Sequence, residues 1–173
     1  SQLNQVNLMA DLLKQGAATG FGEATKNELR SVFASLGFEV DAEALARGEG
    51  FNAFSNRLAL AVRNPAGGAG MPGSMSDSDR NFLVSTVPGL ARSESGNALL
   101  IAVMQKQLER KIEVSRMAVD YFNQNKTMQG FEQRIAEYAQ ANPMFDEIQK
   151  QADALLQANQ QAQSVEPDFT QNQ

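Results

Sequence analysis

Three short stretches hold residues whose types and spacing could do chemistry. Ser93-Glu94-Ser95-Gly96-Asn97 sets one carboxyl group among hydroxyls at a helix start, where a carboxylic acid is a candidate proton donor. Gly68-Ala-Gly70-Met-Pro-Gly73 matches the spacing GxGxxG, in which glycines let a backbone approach a pyrophosphate. Asp77-Ser-Asp79-Arg-Asn81 alternates oxygen donors as the opening of a calcium loop does.

Each stretch also has a plainer reading. The glycine spacing needs a strand before it and a βαβ unit around it, yet a helical pattern precedes it and Pro72 stiffens it. A flexible connector accounts for it better. In the calcium register Phe82 stands where Gly is required, and Pro88 where a bidentate Glu is required. Ser76 reads instead as a helix cap, with Asp77 and Asp79 in the positive first turn. Glu94 likewise suits the first turn of a long helix, where its charge favours the helix dipole.

The wider inventory narrows the chemistry. The chain has no His, no Cys and no Trp. That excludes a Ser-His-Asp triad, a thiol nucleophile and a standard zinc site. An enzyme built from this chain would run on carboxylates, Lys, Tyr or Ser, so a non-enzyme is expected, with no catalytic residue, no cofactor and no metal. The net charge is −5, which disfavours specific nucleic-acid binding, since such binding neutralises phosphates with Lys and Arg. Lys106, Arg110, Lys111 and Arg116 are interleaved with Glu109 and Glu113, the pattern of a solvated helix face. No apolar run is long enough for a transmembrane segment, and Ser1-Gln2-Leu3-Asn4 does not open a signal peptide.

The elements that would position these residues are all helical. Leu3, Val6, Leu8, Met9, Leu12 and Leu13 recur at three- and four-residue spacing over 2–15, with Gly16 and the Gly20/Gly22 pair as its end. Leu29, Val32, Phe33 and Leu36 repeat the pattern over 23–36. A short helix over 42–47 and one over 51–63 follow, the latter with Phe51, Phe54, Leu58 and Val62 on one face. Residues 64–74 form a Gly/Pro-rich loop. A helix capped by Ser76 runs to about Thr86 and stops at Pro88-Gly89.

The longest element is expected from Ser93 or Ser95 to about Asn123, roughly 45 Å of helix. Its stripe of Ile101, Met104, Leu108, Ile112, Val119 and Phe122 is spaced nearly as a heptad and is the candidate interaction surface. Packing against neighbours within the chain is the competing use of that stripe. Thr127 is a candidate cap for a helix over 128–141, with Phe131, Ile135 and Tyr138 inward. Pro143 can begin a last helix carrying Phe145, Ile148, Leu155 and Leu156. The methionines, Met75, Met104, Met117, Met128 and Met144 among them, read as core gap fillers. No strand pattern and no repeat is present. The expected fold is an all-α bundle of about seven helices with one long central helix. Its parts are an N-terminal helical part (1–63), the Gly/Pro-rich loop (64–74), a C-terminal helical part (75–157) and a flexible Gln/Asn-rich tail (158–173).

Two resemblances bear on function. The few residues around Ser93-Glu94-Ser95 look similar to lytic transglycosylases, which implies Glu94 protonating a glycosidic oxygen. That family's downstream Gly-Ala-x-Gly-Leu-x-Gln segment is missing here, and 98–110 reads as continuous helix. The second is broader. Phe51-Asn-Ala-Phe-Ser-Asn-Arg-Leu-Ala-Leu60, Arg63 to Gly73, Met75 to Leu83, Val87-Pro-Gly-Leu90, Gly96-Asn97, Arg110-Lys-Ile-Glu113 and Ala141-Asn-Pro-Met-Phe145 stand in order across residues 22–145. Together they resemble a family of helical modules in phage and prophage virion-associated proteins.

That second resemblance implies a non-enzymatic bacteriophage virion structural protein, a component of the internal or DNA-ejection apparatus. It implies partners among other virion proteins, and residence in the particle after assembly in the infected cell's cytoplasm. It supplies no catalytic residues. A homo-oligomer through the long helix, and a scaffold or chaperone for virion assembly, are further expectations consistent with the same residues.

Overall fold

The computed structural model describes residues 2–19, 22–35, 73–90 and 94–164. The described residues form seven helices and no strand. In chain order they are α1 (Gln2–Thr19), α2 (Glu23–Ser35), α3 (Asp77–Ser85), α4 (Val87–Leu90), α5 (Glu94–Asn125), α6 (Phe131–Ala141) and α7 (Asp146–Ser164). The expected all-α bundle of about seven helices is therefore present. The expected helices over 42–47 and 51–63, and residues 64–72 of the Gly/Pro-rich stretch, lie outside the described residues.

Helix α5 runs for 32 residues, about 48 Å at 1.5 Å per residue. It packs against α1, α4, α6 and α7, while α2 packs on α1. The main core gathers apolar residues from six of the seven helices. Val6, Met9, Leu29, Leu90, Leu100 and Val103 are fully buried in it, and Phe82 meets Phe145 at 5.3 Å between ring centres. Residues on both sides of the Gly/Pro-rich stretch thus share one core. A second, smaller cluster lies further along α5, where Val114 packs with Phe131 and Ile135 of α6.

The starts and stops of the helices refine several expectations. Ser76 caps α3: its hydroxyl accepts from the Asp79 N–H, and the Asp79 carboxylate accepts from the Ser76 N–H. That is a reciprocal capping box. Pro88-Gly89 does not act as a stop. The chain closes α3 at Thr86, and Pro88 then lies in the single turn of α4, near whose start a missing N–H costs nothing. Thr127 does not cap α6. That helix begins later, after Gly130 in the left-handed conformation, and Thr127 bonds only the nearby Gln129 N–H. Helix α1 continues through Gly16 to Thr19. Helix α7 starts at Asp146 instead of Pro143, and continues past Gln157 to Ser164, so 158–164 are helix and not tail.

Candidate functional site

The candidate interaction stripe divides along α5. Ile101 is buried in the main core, and Met104 and Leu108 are partly buried against it. Beyond them the same stripe emerges. Ile112 is 38% exposed, Val119 60% and Phe122 50%. These are values for solvated side chains on a well-formed helix, so half of the stripe is core and half is open surface.

Helix α1 borders the open part of the stripe. It packs along α5, and the Gln105 side-chain amide donates to the Asn7 side chain at 2.7 Å. The start of α1 reaches α5 with Leu3, which faces Leu108 and Ile112 across an open groove of about 670 Å³. Further along α5 the groove is lined by Lys111, Ser115, Arg116, Val119 and Asp120. Its lining joins apolar Leu3, Leu108, Ile112 and Val119 with charged Lys111, Arg116 and Asp120. The Ser115 hydroxyl donates to the Lys111 carbonyl at 2.7 Å, so its proton is already committed inside the helix. Lys111 and Arg116 are exposed and have no ion-pair partner among the described residues.

On its other side this part of α5 is held by α6. Tyr121 and Phe131 meet at 5.3 Å between ring centres, and the Tyr121 hydroxyl donates to the Gln129 carbonyl at 2.6 Å. Met117, Ala118 and Tyr121 pack on the smaller cluster. Met128, expected as a gap filler, is 44% exposed at the tip of this α5–α6 hairpin. It lines a second groove of about 620 Å³ with Gly130, Phe131 and Ile135.

Arg110 corrects the solvated-face expectation for the basic cluster. It is 5% exposed. Its guanidinium donates to the carbonyls of Ser74 and Asn142, bonds the Glu113 carboxylate at 3.2 Å and lies 5.1 Å from the centre of the Tyr138 ring. The Tyr138 hydroxyl donates to the other Glu113 oxygen. One side chain therefore ties α5 to the stretch of chain before α3 and to the end of α6. The planar fork of Arg suits two carbonyls and a carboxylate, which the point charge of Lys does not. The hydrogen bond to Glu113 holds the Tyr138 hydroxyl above its ordinary pKa of 10.0; partial burial and the Glu113 charge add to this, and Arg110 opposes it.

Two of the stretches with catalytic appearance hold residues fixed by packing, and residues 68–72 of the glycine-spaced stretch lie outside the described residues. Asp79 is 1% exposed and its second oxygen accepts from the N–H groups of Met144 and Phe145 at 2.9 and 3.1 Å. Its carboxylate thus joins the start of α3 to the start of α7, while Asp77 pairs at the surface with Arg80. No group of three acidic residues able to hold a metal ion occurs among the described residues. Glu94 is the first residue of α5. Two residues on, a Cβ at Gly96 would stand 1.9 Å from the Leu90 carbonyl oxygen, so the motif's glycine is a point of close backbone approach. Asn97 beside it is buried.

No family model, no curated protein and no solved structure matches the chain. The terms bacteriophage, virion and DNA ejection are corrected on that finding: no comparison ties the chain to a phage particle, an ejection apparatus, a lytic enzyme or a scaffold. What stands is the helical bundle. No helix of the described residues is long and apolar enough to cross a membrane.

Proposed function

We propose that this chain is a non-enzymatic assembly protein that holds another protein against the open face of α5. One observation carries the reading. Ile112, Val119 and Phe122 continue the core stripe of α5 into solvent, beside a groove lined by apolar and charged side chains. Apolar side chains scattered singly over a surface need no explanation, but aligned on one helix face beside a groove they mark a contact. In this reading α5 is the long central spine. Its first half is set in the main core, and its second half, braced by α6, is presented outward.

Photocrosslinking in the producing cell tests this. A photoreactive side chain at Val119 is expected to yield a protein adduct, and the same group at exposed Gln151 of α7 is not. Equal yields at both positions, or no adduct at Val119, would sink the surface reading. The non-enzymatic part is tested separately with purified chain and peptidoglycan. Release of soluble fragments, lost in Glu94→Gln, would overturn it.

A further inference from the structure

We infer that the occupant of the α5 face is a second copy of this chain, whose own α5 lies antiparallel in the groove. The inference rests on the surface reading above and adds the partner and its orientation.

Leu108, Ile112, Ser115, Val119 and Phe122 follow one another at four, three, four and three residues. That is the seam of a two-helix coiled coil, carried on one continuous helix. Four of these five line the groove. In an antiparallel pair the four that line the groove are their own complement: Leu108 faces Val119 of the second copy, and Ile112 faces Ser115. Ser115 at the centre is small, and its hydroxyl is bonded to the Lys111 carbonyl, so covering it strands no donor.

Charge then selects the direction. Glu109 and Arg116 occupy the same flank of the seam, seven residues apart. In the antiparallel register each Glu109 stands beside the Arg116 of the other copy, twice per dimer by symmetry. A parallel pair would instead bring Lys111 beside Arg116, two like charges. Arg116 is exposed and free of an ion pair among the described residues, and Glu109 is engaged only by Lys106 at 3.2 Å, with both side chains half exposed. Both are therefore able to pair across the seam.

Sedimentation equilibrium of the full chain over a concentration series tests the proposal. The expected mass rises from 18.8 kDa toward twice that value. Arg116→Glu and Glu109→Arg each turn two attractions into repulsions and should each raise the dissociation constant by about tenfold or more. Mixing the two variants restores both attractions, so the mixture should dimerise where neither variant does. Far-ultraviolet circular dichroism keeps the comparison to folded protein. A dimer unaffected by either swap, or not regained on mixing, overturns the antiparallel register. A mass fixed at 18.8 kDa overturns the second copy. The Val119 adduct then separates the two readings. An adduct with a different protein leaves the surface standing without self-pairing, and no adduct sinks both.

Discussion

Arg110 and Asp79 show how two charged side chains come to be buried without loss. Each is surrounded by groups of opposite polarity that the backbone supplies: carbonyls of Ser74 and Asn142 for the guanidinium, and N–H groups of Ser76, Met144 and Phe145 for the carboxylate. Burying an ion is costly unless it is paired and hydrogen-bonded in this way. No buried side-chain nitrogen or oxygen among the described residues lacks a partner. Tyr138 carries a pH dependence of its own. Its pKa in the fold lies above 10.0, chiefly through the hydrogen bond it donates to Glu113. The folded state therefore holds this proton more tightly than the unfolded chain. Its contribution to stability is full below the ordinary tyrosine value of about 10 and is lost as pH rises through the raised folded value. Urea unfolding midpoints across that range should fall less in Tyr138→Phe than in the parent. In Tyr121→Phe, where Tyr138 is the single tyrosine, the phenolate absorbance should appear above pH 10.0, and closer to it once Glu113→Gln is added. A titration at or below 10.0 would contradict the bond.

At the scale of elements, the seat of α5 depends on the absence of one carbon. The first turn of α5 passes so near the Leu90 backbone that a methyl at Gly96 has nowhere to go, because the obstructing atoms are main chain. Gly96→Ala should therefore cost about 2 to 3 kcal/mol, the ordinary cost of overpacking a close contact. A methyl at Gly22 would meet nothing within 4 Å, and Gly22→Ala should stay within about 0.5 kcal/mol. Chemical denaturation of both variants measures the difference. Equal midpoints would show that the α4–α5 contact yields easily. The heptad-like stripe of α5 was legible in the sequence, and so were the Ser76 cap and the apolar faces of α1, α6 and α7. The α6 start was not. It follows from Lys126 and Gly130 both taking left-handed backbone angles in the turn, and nothing in the local pattern ranks that above a cap at Thr127.

For the whole molecule, two cores of unequal size sit along one helix. The main cluster draws on α1, α2, α3, α4, α5 and α7, whereas the cluster at the α5–α6 hairpin holds Val114, Phe131 and Ile135 with three partly buried neighbours. Less buried apolar surface means a lower free energy of local opening. Amide exchange should therefore be faster at Ile135 and Val114 than at Leu100 and Val103. Uniform protection along α5 would mean that the hairpin opens only with the bundle. A hairpin that opens more readily than the bundle can adjust to a bound partner while the main core stays formed.

Periodicity by itself determined that the described segments are helical, where most of their apolar faces lie, and that α5 carries a continuous stripe; the missing His and Cys removed whole classes of chemistry. Those are properties of residue type and spacing, and need no knowledge of neighbours. Only the tertiary structure decided which half of the stripe is spent. Ile101 and Val119 belong to the same apolar pattern, yet one is 4% exposed and the other 60%. The difference is company: Ile101 lies in the core built from six helices, whereas Val119 lines an open groove. In the same way Arg110 is buried because the carbonyls of Ser74 and Asn142, 36 and 32 residues away in sequence, converge on it. Burial is a relation between distant segments, and a local pattern carries no record of it.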